Sequence, residues 1–356
     1  MSEASGVRRV AVVLPDMIGT TVCARPALAA IYAAFPAATV QLLGFAPVSR
    51  FLCDEPCGRD LSLLDLPLRS AQLAGQLPQP PDVAFDLLGT DASRDALVSA
   101  GSRRLVGWPD RHGQVTDPVP FPSQRHQLAV QDYLDFLVAV GAPAPFSPPR
   151  LTAAPATLGR GREWLRQQGV VDDEALVSFG VGGGNDRKRW PLEHFLALED
   201  RFAGRGRPIV FVGPREAELV DRLLAAPGRR VVAASLPLDL AKGILAHGRL
   251  AVCNDHAIMH LCAALGVPTI GVFLASDPDE WFPYPPPSRR VIGPPLPCRP
   301  CYRADCEGWE CNDPSLPGMV AEVLEELWTL PRGERAVGGG SLGCAERGGT
   351  GRSPPD

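Results

Sequence analysis

Short apolar runs alternate with amphipathic helical patterns along the first half of the chain, and this alternation constrains the fold more than any other sequence feature. Strands that are separated by helices form βαβ units, and such units assemble into parallel sheets with helices on both faces. The first half is therefore expected to be an α/β domain. We predict strands at 7–15, 39–45, 81–89 and 103–108, and helices at 22–35 and 124–141.

The same alternation restarts after a proline- and alanine-rich segment at 142–156, which we interpret as a connector because proline removes a backbone donor and fixes φ. The sequence thus predicts two doubly wound domains, at 1–150 and 151–332, and a glycine-rich tail at 333–356 that we expect to be disordered. Such domains bind ligands at the carboxyl ends of their strands, so a cleft between them is expected. In the second half we predict strands at 175–181, 207–213, 231–235, 250–255 and 268–274, and helices at 191–202, 214–225, 237–247 and 256–266.

The composition argues against several classes of function. Of the 356 residues, 45% are hydrophobic and 21% are charged, which is enough apolar material for large cores. The net charge of −5 and the lack of a basic run argue against a nucleic-acid partner. No apolar stretch approaches the roughly 18 residues of a membrane span. The N-terminus shows no signal-peptide cleavage pattern, so a cytoplasmic location is expected.

An acid and two histidines stand where the predicted strand LAVC gives way to a helix, at Asp255, His256 and His260. One interpretation is that Asp255 caps the helix, which contributes about 1 kcal/mol. The other is that the free N–H groups at the helix start bind a phosphate, while the carboxylate accepts hydrogen bonds from a sugar. The histidine pair does not match a zinc protease, because Ala257 stands at the position of the required glutamate.

A second strand–loop–helix junction reads FGVGGGNDRKRWP at 179–191. Gly182, Gly183 and Gly184 allow a ligand to approach the backbone closely, and Lys188 carries a charge suited to a phosphate. The segment matches neither a Walker A loop nor a dinucleotide fingerprint, and it could also be a tight turn between solvated arginines. Both junctions lie at strand carboxyl ends of one domain. Together they favour a nucleoside diphosphate that carries a sugar.

Four motifs follow one another in this half of the chain. They are Lys188-Arg189-Trp190-Pro191, NDHAIMHLCAA at 254–264, FLASDP at 273–278 ahead of Trp281, and the cysteine block CRPCYRADCEGWEC at 298–311. Their order and spacing resemble those of glycosyltransferase family 9, the lipopolysaccharide heptosyltransferases. Segments at 26–36, 82–89 and 103–108 are similar too, so the resemblance covers nearly all of residues 8–328.

The resemblance implies a GT-B fold, in which two Rossmann-like domains face each other across a cleft. It implies transfer of heptose from ADP-heptose to an acceptor hydroxyl with inversion at the anomeric carbon, without a metal or other cofactor. The acceptor, a glycolipid, glycan or protein, would lie on the N-terminal domain, and contact with the cytoplasmic face of the inner membrane is expected. The implied donor-binding residues are Gly182, Gly183, Gly184, Lys188, Glu216, Asp255, His256, Ala257, Met259 and His260.

The sequence departs from the family pattern at the position of the catalytic acid. The family's first loop carries Gly-Asp, and that aspartate deprotonates the acceptor, but here Gly19 is followed by Thr20. A threonine hydroxyl is no base near neutral pH without an activator of its own. Asp16 lies four residues earlier on the loop, and it could either replace this base or cap the turn. The donor motif also differs, since His256 and Ala257 replace a serine and a glycine.

Ten cysteines are present, and three of them (Cys23, Cys253 and Cys262) lie in apolar patterns that predict buried thiols. Four more are concentrated in the cysteine block. Four thiolates suit a closed tetrahedral site for zinc or iron, so we predict a structural metal as one possibility and reduced thiols that pack a loop as the other. The four candidate ligands are Cys298, Cys301, Cys306 and Cys311.

Three other functions remain open at this point. The missing aspartate is compatible with a non-catalytic module that binds a nucleotide sugar. A GT-B sugar-nucleotide epimerase would share the fold, although no clear acid–base pair supports it. A redox protein would be built on the cysteine block. The sequence does not identify the acceptor.

Overall fold

The computed structural model describes residues 6–65, 75–121, 127–202, 204–284 and 287–330, which form two parallel sheets of six strands each. The α/β class predicted from the alternation is thereby confirmed. The first sheet contains β1 (Arg9–Val13), β2 (Thr39–Phe45), β3 (Leu61–Leu64), β4 (Val83–Asp86), β5 (Arg104–Gly107) and β6 (Asp117–Pro118). The second contains β7 (Leu176–Gly180), β8 (Arg207–Val212), β9 (Val231–Ala234), β10 (Leu250–Asn254), β11 (Thr269–Phe273) and β12 (Arg289–Ile292).

Helices connect most of the consecutive strands, as is usual between parallel strands, while the described residues between β5 and β6 and between β11 and β12 contain no α-helix. Among the described residues, no helix is both long enough and apolar enough to cross a bilayer. The tail predicted to be disordered at 333–356 lies outside the described residues. The helices are α1 (Ile18–Cys23), α2 (Arg25–Ala34), α3 (Ala46–Ser49), α4 (Asp91–Ser99), α5 (Ala129–Ala139), α6 (Pro155–Gln167), α7 (Leu192–Glu199), α8 (Glu218–Ala225), α9 (Leu238–Leu245), α10 (Ala257–Ala264) and α11 (Leu316–Thr329).

The two sheets share one topology. The order is β3-β2-β1-β4-β5-β6 in the first and β9-β8-β7-β10-β11-β12 in the second. In each sheet the connections reverse direction next to the first strand, between β1 and β4 and between β7 and β10. Ligands of doubly wound sheets bind in the crevice at this reversal, outside the carboxyl ends of the strands. Ligand-binding residues are therefore expected directly after these four strands.

The central strands are buried on both faces, which explains why they appear in the sequence as continuous apolar runs. Every residue of β7, β10 and β11 is buried. In the first sheet, Val10 pairs with Val40 on one side and Val83 on the other. Cys23, Cys253 and Cys262 are buried, as predicted.

Helix α9 carries a fully buried lysine that joins the two halves of the chain. The Lys242 ammonium forms ion pairs with Asp54 and, at 2.9 Å, with Oε1 of Glu55, and donates to the carbonyl of Phe51 at 2.9 Å. The same two carboxylates accept hydrogen bonds from the connector, from the N–H groups of Thr152 and Ala154. The charge is thus surrounded by acceptors, which a buried ammonium requires.

Helices α6 and α9 approach each other closely at two glycines. A Cβ atom on Gly161 would lie 2.4 Å from the carbonyl carbon of Gly243, and one on Gly243 would lie 2.3 Å from the carbonyl oxygen of Thr157. No real side chain tolerates such distances, so both positions require glycine.

Several predicted elements differ from those observed. The single helix predicted at 22–35 is two helices, α1 and α2, which meet at Ala24. The connector contains no helix or strand until Pro155, where α6 begins; that helix was not predicted. Also missed were the short strands β3, β6 and β12 and the helices α4 and α11. The domain boundary at residue 150 stays a prediction.

Candidate functional site

One buried asparagine fixes the two predicted junctions to each other. The side-chain amide of Asn254, at the end of β10, donates to the carbonyls of Val181 and Gly182 at 2.9 and 3.1 Å. Its Oδ1 accepts from the N–H of Trp190 at 3.0 Å. The strands β7 and β10 are neighbours, so the glycine-rich turn and the start of α10 lie side by side at the reversal of the second sheet.

The two charged residues singled out in the sequence meet at this point. Nζ of Lys188 lies 2.5 Å from Oδ2 of Asp255, and the two side chains are 18% and 6% exposed. Asp255 is not the helix cap, which corrects one of the two interpretations of the sequence. His256 occupies the N-cap position, and its Nδ1 accepts from the N–H of Ile258 at 3.5 Å. The carboxylate of Asp255 is therefore directed to the lysine.

Both histidines of the motif are neutral near pH 7. Burial lowers the pKa of His256 to about 4, although the nearby Asp255 carboxylate opposes this shift. Burial likewise lowers the pKa of His260 to about 4. A neutral imidazole can accept a hydrogen bond, which is the capping role observed for His256. Positive charge in this part of the site consequently comes from Lys188 rather than from the histidines.

The glycine-rich turn lies on a buried carboxylate. Glu216 is 3% exposed, and its Oε1 accepts from the N–H of Gly183 at 3.4 Å and pairs with Arg189 at 3.3 Å. A Cβ atom on Gly182 would lie 3.0 Å from Nε2 of His256 and 3.2 Å from Cδ of Glu216. Glycine at 182 therefore permits contact between the turn and both side chains. A Cβ on Gly184, by contrast, would meet nothing within 4 Å.

Two of the predicted donor-binding residues, Met259 and His260, have buried side chains. Met259 is fully buried against the second sheet, and its N–H donates to the carbonyl of His256 at 3.0 Å, so neither group is available to a ligand. The fold puts this side chain on the core face of α10, which argues against the predicted role of Met259 in donor binding. His260 is also buried, and its ring faces Gly19 of the first domain and Trp281. The N–H groups of His256 and Ala257 remain without intrahelical acceptors, as at any helix start.

The loop after β1 reaches this region from the first domain. Thr20 lies in α1 and is buried, and its hydroxyl donates to the carbonyl of Met17 at 2.9 Å. Asp16 is exposed, and within the described residues its carboxylate accepts no hydrogen bond. It does not cap α1 either, because the N-cap is Met17 and has no side-chain hydrogen bond. The capping interpretation of Asp16 is therefore not supported.

The family model of glycosyltransferase family 9 (heptosyltransferase) matches residues 93–309, which is more than half of the chain and includes both junctions. The chain belongs to this family. It is 26% identical over 205 residues to lipopolysaccharide heptosyltransferase 2 of Escherichia coli, and 31% identical over 121 residues to lipopolysaccharide heptosyltransferase 1 of Pseudomonas aeruginosa. These matches cover 52% and 33% of this chain, and 58% and 34% of the two relatives.

Solved structures of family 9 proteins share the fold. A glycosyltransferase of Veillonella parvula superposes with a TM-score of 0.79 at 17% identity, covering 90% of this chain and 97% of that one. ADP-heptose heptosyltransferase II of E. coli gives 0.74 at 21% identity, covering 90% and 98%. The GT-B architecture implied by the resemblance is thus confirmed.

The cysteine block of this family 9 chain forms a loop beside the donor motifs. Its four thiols line one cavity of about 510 Å³, together with Arg187 and Trp309. The described residues contain no group of three or more His, Cys, Asp or Glu side chains arranged to hold a metal ion. The predicted metal site at Cys298, Cys301, Cys306 and Cys311 is therefore not formed in this structure: Cys298 is exposed, and Cys306 Sγ accepts from the N–H of Trp309 at 3.4 Å. The four cysteines line the same cavity without forming the grouped set of ligands that a metal site requires.

An iron-containing glycosyltransferase is among the structural neighbours. TibC, a dodecameric glycosyltransferase of enterotoxigenic E. coli, superposes with a TM-score of 0.59 at 13% identity, covering 90% of this chain and 76% of that one. At this identity the likeness concerns the fold. It is no evidence that the cysteine loop of this chain binds iron.

Sequence reasoning missed the contribution of the cysteine loop to the site. The N–H groups of Cys301 and Tyr302 both donate to the carbonyl of Ala275 at 3.0 Å, which fixes the loop after β11. The ring of Tyr302 lies 5.9 Å from Nζ of Lys188, and the Trp309 indole donates to the carbonyl of Arg187 at 3.3 Å. The two aromatic residues inside the block were the available signal, but the thiols drew the interpretation toward a metal.

Proposed function

We propose that this chain transfers a sugar from a nucleoside diphosphate, with ADP-heptose as the favoured donor, to a hydroxyl group of a lipopolysaccharide-core-type or other glycan or protein acceptor. One observation carries the proposal: a lysine–carboxylate pair, Lys188 and Asp255, lies at the strand reversal of the second sheet beside the start of α10. Family membership and the activities of the relatives support it.

The roles of the donor-side residues follow from their chemistry. Lys188 would bind the diphosphate and stabilise the charge that develops on the departing ADP. The N–H groups of His256 and Ala257, at the positive end of α10, would bind the same phosphates. Asp255 would then be released to accept hydrogen bonds from the sugar. Glu216 is the candidate for the ribose, and Gly182, Gly183 and Gly184 would allow the nucleotide to approach the backbone.

The acceptor would bind to the first domain, where Asp16, in the loop after β1, is followed by Thr20 in α1. Transfer would invert the anomeric carbon, because one displacement by the acceptor oxygen forms the new bond as the phosphate leaves. The electrostatic groups named above supply charge stabilisation without a metal ion. Action at the cytoplasmic face of the inner membrane belongs to the same proposal.

Thermal unfolding with ADP, UDP, GDP and CMP tests the nucleotide assignment. A ligand at 100 times its dissociation constant stabilises a protein by about 2.7 kcal/mol, which raises Tm by several degrees. We expect ADP to stabilise the wild type selectively, and Lys188→Ala to reduce the shift. A preference for UDP or GDP would change the donor, and no shift with any nucleotide would refute the proposal.

Turnover distinguishes the enzyme from the non-catalytic alternative. The wild type should release ADP from ADP-heptose when heptose-free lipopolysaccharide is supplied. Stabilisation by ADP without any turnover, unchanged in Asp16→Ala, would instead favour a module that binds the nucleotide sugar.

A further inference from the structure

The proposed transfer needs a group that takes the proton of the acceptor hydroxyl, and Thr20 cannot supply it. The Thr20 hydroxyl donates to the carbonyl of Met17, so it is engaged as a donor, and alcohols of its kind remain protonated near neutral pH. Given the proposed function, a carboxylate of the cleft must take this proton.

A carboxylate of the second domain is connected by a series of contacts to α1, the helix that carries Thr20. A Cβ on Gly19 would lie 3.0 Å from Cδ2 of His260, so α1 and the ring are in contact. The His260 ring packs edge-on against Trp281, with centroids 6.1 Å apart. The residue before this tryptophan is Glu280, whose carbonyl accepts from the N–H of Ala129, in the first domain, at 3.0 Å. Glu280 thus lies where the two domains meet.

The side chain of Glu280 is oriented by the cysteine loop. The Tyr302 hydroxyl donates to Oε2 of Glu280, and the same hydroxyl accepts from the Trp281 indole at 3.1 Å and from the N–H of Asp277 at 3.2 Å. The aromatic ring of Tyr302 adjoins the donor motif, since its centroid lies 5.9 Å from Nζ of Lys188. One aromatic ring therefore separates Glu280 from the Lys188–Asp255 pair.

We propose that Glu280 is the catalytic base of the transfer and that Tyr302 is its positioning residue. The Glu280 carboxylate takes the proton of the acceptor hydroxyl as the acceptor oxygen forms a bond to the anomeric carbon. The bond from that carbon to the phosphate oxygen breaks, and its electron pair leaves with ADP, next to Lys188. Glu280 then loses its proton to solvent, so the enzyme returns to its initial state.

Two other carboxylates of the cleft suit the role less well. Asp16 is exposed and unrestrained by hydrogen bonds within the described residues, so nothing in the fold holds it toward an acceptor. Asp132 is 5% exposed, and its Oδ1 accepts from the amide of Gln127 at 2.8 Å. Glu280 combines partial exposure with a fixed orientation, which general-base catalysis requires.

The charged surroundings of Glu280 favour proton uptake. Burial raises the pKa of this carboxyl group, and the like charges of Asp277 and Asp255 raise it further. The hydrogen bonds from Tyr302 and Trp281 oppose the rise. From the first domain, the buried thiol of Cys23 also faces this group, and burial raises the pKa of that thiol to about 12, so it stays uncharged. A base whose pKa lies closer to neutral accepts a proton more effectively at physiological pH.

The test compares the variants Glu280→Gln, Asp16→Asn and Tyr302→Phe with the wild type. Activity is measured as ADP release from ADP-heptose in the presence of heptose-free lipopolysaccharide, and ADP affinity is measured by calorimetric titration. Asp279→Asn is the matched control, since this neighbour is exposed and pairs with Arg290 outside the proposed chemistry. We expect Glu280→Gln to lower kcat by about 100-fold or more, with ADP affinity retained. Glu280→Asp should recover part of the loss.

Tyr302→Phe should change the pH dependence of kcat/KM, which the loss of a merely structural contact would leave unchanged. Without the hydroxyl, Glu280 loses a hydrogen bond to its charged form, so the ascending limb of kcat/KM against pH should move to higher pH. Full activity of Glu280→Gln, or a loss confined to Asp16→Asn, would overturn the inference and leave the proposed function standing. Absence of turnover and of ADP binding in the wild type would overturn both.

Discussion

Nζ of Lys188 lies 2.5 Å from Oδ2 of Asp255, so a positive and a negative group of the candidate donor site neutralise each other. A bound diphosphate would compete with the carboxylate for this ammonium. We therefore expect Lys188→Met to weaken ADP binding by about 1.5 to 3 kcal/mol, the range for a hydrogen bond to a charged group, which is tenfold or more in Kd. Calorimetric titration measures this change.

The double variant separates the lysine's contact with the ligand from its contact with Asp255. Asp255→Asn in the Lys188→Met background removes the unpaired carboxylate, so part of the ADP affinity should return because a repulsive charge is gone. Equal affinities of Lys188→Met and the wild type would show that the nucleotide binds elsewhere.

Lys242→Met should strongly destabilise the chain, because the substitution leaves the carboxylates of Asp54 and Glu55 without their buried partner. Breaking a buried ion pair from one side costs about 3 to 5 kcal/mol. Arg205→Met is the control, since Arg205 and Glu325 are 35% and 44% exposed, and exposed pairs contribute about 1 kcal/mol or less. Denaturant unfolding of both variants gives the comparison, and similar losses would contradict the assigned burial of Lys242.

Gly161→Ala and Gly159→Ala should change stability in opposite directions, although both lie in helix α6. A methyl at 161 would meet the Gly243 backbone at 2.4 Å, and overpacking of this kind costs about 1 to 3 kcal/mol. A methyl at 159 would meet nothing within 4 Å, so the helix should gain about 0.5 to 1 kcal/mol. Unfolding midpoints measure both effects, and a tolerated alanine at 161 would mean that α6 and α9 do not touch.

Asp86 should make the fold less stable as the pH rises. Burial raises the pKa of this carboxyl group to about 6, above its usual value of 3.8, so the native state holds a proton that the unfolded chain has lost. The stabilising contribution is complete below pH 3.8 and is lost as the pH rises to about 6. The advantage of Asp86→Asn over the wild type should grow across this window and then level off. Denaturant unfolding at several pH values checks the trend, and a constant difference would contradict it.

The buried histidines should change the stability with pH in the opposite direction to Asp86. The pKa of His260 is about 4 in the native state, below its usual value of 6.5. Protonation therefore favours the unfolded chain, and the free energy of unfolding should fall as the pH drops from 6.5 to about 4. His260→Gln should flatten this acid limb. NMR titration of the ring gives a direct measurement, and a midpoint near 6.5 would show that the ring is solvated.

The sequence was sufficient for the parts of the fold that depend on local pattern. Buried parallel strands such as β7 and β10 are continuous apolar runs, so they were identified to within about two residues of their ends. The strands that were missed, such as β3 and β6, are short and lie toward or at sheet edges, where one side is less buried and the apolar signal fades. Helix α6 contains two glycines and few apolar residues, which hid it from a periodicity argument.

Some residues of the candidate site could be selected from the sequence, but their arrangement could not. Lys188 and Asp255 were identified through their positions after strands and through the family resemblance. Their ion pair depends on β7 and β10 being neighbours, which is a property of the whole sheet. Tyr302 was not assigned to the site, because its contacts depend on how the cysteine loop returns to Ala275. Likewise, helical spacing alone did not reveal that Met259 faces the core.

The hydrogen bonds of Asn254 have a consequence for the thermodynamics of ligand binding. Because one amide holds the carbonyls of Val181 and Gly182 and the N–H of Trp190, the turn and the helix start lose their conformational entropy when the chain folds. A nucleotide that binds there meets a preformed surface and orders little backbone. Association with this chain should therefore be accompanied by a small heat-capacity change, of the size expected for the ligand's own buried area and without a contribution from loop folding.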